Sequence, residues 1–119
     1  MKNNNVVLEK TYAFAIRIIN CYKYLKIKKK EFELSKQLLK SGTSIGANVE
    51  EGIGGQSKND FQSKMAIAYK EARETHYWLR LLRDTQFLEV QLAESLLIDN
   101  EEILKLLGSI IKTTKSSNS

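Results

Sequence analysis

With 119 residues, no proline and six glycines that fall between positions 42 and 55 and at 108, the chain reads as one domain of long, seldom broken helices and excludes a turn-rich all-β protein. Cys21 stands alone, which rules out an intramolecular disulfide and a cysteine-anchored zinc cluster and marks it as a core thiol. A net charge of +5 and a pI near 9.3 lean toward polyanionic partners without requiring one.

The first predicted helix, Val6 to Ile27, carries two apolar rows. One is Leu8, Tyr12, Ala15, Ile19 and Tyr22; the other is Phe14, Ile18, Cys21 and Leu25. Together they are wider than a monomeric amphipathic helix needs, so either one row meets a neighbouring subunit or the whole helix is sunk in its own core. Arg17 interrupts the best apolar run, which keeps it short of the roughly 20 residues of a membrane span. The Met-Lys-Asn-Asn-Asn start has no hydrophobic region followed by a small-residue cleavage site, so the expectation is a cytoplasmic protein without membrane contact. A turn is predicted within Lys26 to Glu33, although no Gly, Pro or strong cap marks it. An unbroken helix from Val6 to Ile53 would run about 70 Å, too long for so small a domain.

Residues 38 to 55 organise the second helix. Leu38, Gly42, Ile45, Val49 and Gly52 make a thin apolar face, and Ser41, Ser44, Asn48 and Glu51 a mostly uncharged polar one. The glycines predict close approach of another backbone, and Gly52, Gly54 and Gly55 are expected to supply the positive φ angles that close the helix. Ser57, with Asp60 three residues on, predicts the N-cap of a third helix. There Phe61, Met65, Ala68, Ala72, Thr75, Leu79 and Leu82 form an unbroken four-three alternation. Ala68 and Ala72 are small where a folded-back second helix presents Ser41, Gly42 and Ser44, so those two helices are expected to approach most closely there. Trp78 reads as a core or subunit-interface anchor. After a connection at Thr85 to Phe87, a fourth helix is predicted from Glu89 to Thr114. Leu92, Leu96, Ile103, Leu107 and Ile110 form its seam, Asp99-Asn100 is its one polar interruption, and a disordered tail follows at 116–119. Four helices with short connections predict an all-α, antiparallel up-down-up-down four-helix bundle over residues 1–115.

Catalytic chemistry is hard to assemble from these residues. The single histidine, His76, rules out paired Glu-x-x-His metal motifs and has no identifiable triad partner, and Glu71 and Glu74 read as ion-pairing groups. Gly52 to Lys58 suggests a phosphate loop only superficially, since it follows a helix rather than a strand. Neither enzymatic activity, nor a metal, nor a cofactor is expected.

Ser44-Ile45-Gly46-Ala47-Asn48-Val49-Glu50-Glu51-Gly52, then Ser57-Lys58-Asn59-Asp60-Phe61 and Lys70-Glu71-Ala72-Arg73-Glu74-Thr75-His76-Tyr77-Trp78-Leu79, resemble a known family. It comprises the four-helix-bundle, ribosomal-protein-like proteins encoded by intervening sequences in bacterial 23S ribosomal RNA genes. The resemblance implies a ring-like homo-oligomer, with a pentamer the leading state. It also implies a more distant likeness in fold to the basic, nucleic-acid-binding accessory protein of diversity-generating retroelements. Ser44, Asn48, Glu51, Gly52, Glu74 and Trp78 carry the motif and are read as structural. The expected function is RNA or DNA association through Lys23, Lys26, Lys28, Lys29, Lys30, Arg80 and Arg83, which the bundle would place at one end. A protein-interaction scaffold whose basic ends only keep it soluble is the competing expectation.

Overall fold

The computed structural model of the chain describes the backbone of residues 2–117 and the side chains of residues 4–116. Its helices are α1 (Lys2–Ile27), α2 (Leu34–Ile53), α3 (Lys58–Asp84) and α4 (Val90–Ser117), with no strand among the described residues. α1 begins four residues before the predicted Val6, and α4 continues past Thr114 to Ser117, since no Gly or Pro stops it after Gly108. Residues 116 and 117 of the tail expected to be disordered are thus helical, and 118 and 119 lie outside the described residues. None of the described helices is long and apolar enough to cross a membrane.

Each helix packs on the next, α4 returns to α1, and the backbones of the diagonal pairs stay apart. Contacts at two of the seams run in opposite chain directions. Along α2–α3, Ser41 and Thr75 hydroxyls hydrogen-bond at 2.9 Å and Glu51 pairs with Lys64 at 3.1 Å. Along α1–α4, Lys10 meets Glu102 at 3.0 Å and Arg17 meets Asp99 at 2.7 Å. Phe14, Ile18 and Leu25 of α1 are sealed in the core with Leu38 and Ile45 of α2, Met65 and Leu79 of α3, and Leu96, Ile103 and Leu107 of α4. α3 keeps its expected alternation, with Phe61 half-buried and Met65, Ala68, Ala72, Thr75, Leu79 and Leu82 buried.

The two rows of α1 part company. Phe14, Ile18, Cys21 and Leu25 turn inward, whereas Tyr12 stays 63% exposed and Ile19 38% exposed, so the helix is not simply sunk in its own core. The Asp99-Asn100 interruption also resolves into two contacts on opposite seams. Asp99 takes Arg17 of α1, and buried Asn100 donates from Nδ2 to the Ala72 carbonyl of α3 at 3.1 Å, leaving its Oδ1 without a partner.

The glycines correct the sequence reading. No described glycine has positive φ, and Gly54 ends α2 in right-handed geometry at φ −82°. Their use is steric. A Cβ on Gly52 would stand 2.8 Å from Met65 Cε and 2.9 Å from Lys64 Cβ, and one on Gly55 would collide with the Asp60 carboxylate. Gly42 makes room for α1 rather than α3, because its Cβ would lie 2.7 Å from Ile18 Cγ2. α2–α3 is still the most extensive seam.

Candidate nucleic-acid interface

The basic end is shaped by how α1 stops. Lys28 N–H donates to the Tyr24 carbonyl at 2.8 Å, Lys30 adopts a left-handed φ of 57°, and Glu31 N–H returns to the Leu25 carbonyl at 3.0 Å. The Glu31 carboxylate then accepts from the amides of Glu33 (3.2 Å), Leu34 (3.0 Å) and Ser35 (2.7 Å), where α2 exposes its unpaired N–H groups. This is the cap that sequence reading missed, because it sits ahead of the usual N-cap position. The turn is therefore pinned at both sides and holds Lys28, Lys29 and Lys30 out in solvent.

Lys23, Lys26, Lys28, Lys29 and Lys30 are all exposed. Lys26 Nζ lies 5.7 Å from the Tyr22 ring centroid, a cation–π contact. Arg80 stands over Tyr77 at 5.8 Å. Arg83 is committed elsewhere, to Asp84 at 2.8 Å and Glu94 at 3.3 Å, and its hydrogen bond holds the Asp84 carboxyl below the usual carboxylate range. Both sets stand at the end where α4 begins, since Arg17 and Arg83 bind Ser95 and Glu94 of its first turns. Lys23 and Lys26 stand on α1 and Lys28, Lys29 and Lys30 in the turn after it, whereas Arg80 and Arg83 stand on α3, the diagonal neighbour of α1. Lys58, Lys112 and Lys115 gather at the far end, and the Lys2 side chain is outside the described residues.

The motif residues line the α2–α3 face. Asn48 Nδ2 donates to the Ser44 carbonyl at 2.9 Å and to its hydroxyl at 3.1 Å, and Trp78 Nε1 donates to Glu74 at 3.2 Å. Between them lies an open cleft of about 300 Å³ lined by Gln37, Lys40, Ser41, Ser44, Glu71 and Glu74. His76 has the partner the sequence could not reveal, Glu101 of α4 at 3.0 Å. Burial pushes the Cys21 thiol up to about 11, with nearby Arg17 opposing, so at neutral pH it is a protonated core group rather than a nucleophile. No cluster of three or more metal-ligating side chains occurs among the described residues.

A family model described as "23S rRNA-intervening sequence protein" matches residues 3–109. A crystal structure of a protein with unknown function from the S23 ribosomal protein family of Bacteroides thetaiotaomicron VPI-5482 shares 53% identity and a TM-score of 0.91, over 92% of this chain and 98% of that one. None of the curated proteins compared matches. With nearly its whole length matched in sequence and in fold, this chain belongs to the 23S rRNA-intervening sequence protein family.

Proposed function

We propose that the chain is a cytoplasmic, non-catalytic accessory protein whose up-down-up-down bundles assemble into a homo-oligomeric ring and bind RNA or other nucleic acid through their basic ends. One observation carries this reading: five exposed lysines lie within residues 23–30, none of them paired with a carboxylate, beside a rigidly held turn. Lys10, Arg17, Lys64 and Arg83 are by contrast neutralised in ion pairs. Phosphate contacts therefore fall to Lys23, Lys26, Lys28, Lys29, Lys30 and Arg80, and Arg83 contributes least because it would have to leave Asp84 and Glu94.

Self-association is supported by the outer row of α1, where Tyr12 and Ile19 are 63% and 38% exposed, with Ile16 beside them 47% exposed. A second copy covering that row would repeat the lysine cluster around the assembly, and weak contacts would add through multivalency. A pentamer is the state the family resemblance favours. The same row would serve a different protein partner if the chain were a scaffold.

Binding to a structured RNA across a salt series separates the two. Phosphate contacts predict log affinity falling by about 0.7 to 0.9 per contact for each tenfold rise in salt. Absence of binding at low salt would contradict the nucleic-acid reading, and a monomer in light scattering at micromolar concentration would remove multivalency.

A further inference from the structure

The lysine turn is not only basic. Phe32 stands in it 52% exposed, and with Tyr22, Lys26, Glu33, Ser35 and Lys36 it walls a cleft of about 170 Å³ between the end of α1 and the start of α2. Six lysines occur from Lys23 to Lys36, and of the two carboxylates in the turn Glu31 is consumed by the α2 amides, leaving Glu33 alone facing solvent. Phe32 is thus a large, solvent-exposed ring set among lysines that pair with no carboxylate.

The geometry points to a single-strand site. Phe32 offers the ring face on which an unpaired base stacks, Tyr22 with Lys26 over its ring forms the adjoining wall, and Lys28, Lys29 and Lys36 take the phosphates on either side. This rests on the nucleic-acid reading above and narrows it. The ligand is a loop, bulge or free end rather than a duplex, because a duplex keeps its bases stacked against each other and brings only its backbone to the protein. RNA and DNA both present the required π-face and phosphate, so the site selects strandedness before sugar. Fixing the turn through Lys30 and Glu31 keeps the aromatic wall formed in the free protein, which lowers the ordering cost of binding.

The test uses fluorescence anisotropy with a labelled 12-nucleotide mixed-sequence single strand, as RNA and as DNA, and a blunt RNA duplex carrying the same number of phosphates. The expected result is tighter binding of the single strands at matched salt. Phe32→Ala should weaken them about tenfold, change the duplex less than twofold and leave the salt slope unaltered, with Phe32→Tyr restoring affinity. Equal affinity for single strand and duplex, or an unchanged single-strand affinity in Phe32→Ala, would overturn the single-strand site while leaving the phosphate reading in place. No binding of any of the nucleic acids would remove both. Dissociation of the oligomer by Phe32→Ala would instead make Phe32 a subunit contact and also overturn the inference. Photocrosslinking of wild-type protein to the single strand carrying 5-bromouracil needs no variant. A crosslink at Tyr22 or Phe32 supports the site, and one confined to the Lys58 and Lys112 end contradicts it.

Discussion

Two turns flank α2, and they are built from opposite residues. The α2–α3 turn at positions 54–57 contains Gly54 and Gly55, yet its glycines stay at negative φ. The α1–α2 turn contains no glycine, yet Lys30 is left-handed at φ 57°. Glycine in this chain supplies room, for Ile18 against Gly42 and for Met65 against Gly52, while handedness is imposed on a lysine by its surroundings. A left-handed lysine costs about 1 kcal/mol or more, and the backbone bond from Glu31 to Leu25 and the Glu31 cap offset it.

The contrast can be broken most sharply at Gly42. Gly42→Ala gains helix propensity of about 1 kcal/mol but drives a methyl into the stiff, sealed Ile18 at a cost of about 2 to 3 kcal/mol, so a net loss of about 1 to 2 kcal/mol is expected in thermal unfolding. Combined with Ile18→Ala, the loss should be smaller than the sum of the single losses, because both variants act on the same contact. Glu31→Ala removes the carboxylate that serves three amides and should cost about 1 kcal/mol, read as a lower urea midpoint at unchanged slope. Lys30→Gly should stabilise by about 0.5 to 1 kcal/mol in the same assay, since glycine adopts this φ without strain. Gly54→Ala should be the mildest, with a change within about 0.5 kcal/mol, because its Cβ would meet only the Glu50 carbonyl at 3.4 Å and its φ suits any residue.

Why some of this was legible in the sequence follows from the physical range of each signal. Periodicity is local, so the four-three run from Phe61 to Leu82 and the Ser57 cap, whose hydroxyl accepts from Asp60 N–H at 3.0 Å, could be read directly. The two rows of α1 were equally apolar, and nothing local says which one the other three helices will cover. Gly42 faced the wrong partner in the sequence reading because a helix offers more than one flank, and Ser41 and Gly42 turn to different neighbours. His76 with Glu101, and Asn100 with Ala72, pair across 25 and 28 positions, beyond any motif spacing. At the basic end the lysines were plain, whereas the exposure of Phe32 between Glu31 and Glu33 is visible only in the fold. The ion pair of Arg83 with Glu94 could not be read there either, because Glu94 lies on another helix.

The most direct test is the salt slope of single-strand binding in two triple variants matched for charge. Lys23→Ala/Lys28→Ala/Lys29→Ala strips the basic turn while sparing the left-handed Lys30, and Lys58→Ala/Lys112→Ala/Lys115→Ala strips the far end. If the basic turn holds the phosphates, the first lowers the slope by about two per subunit engaged and the second leaves it unchanged. Equal slopes in the two variants, or a fall only in the second, would contradict it.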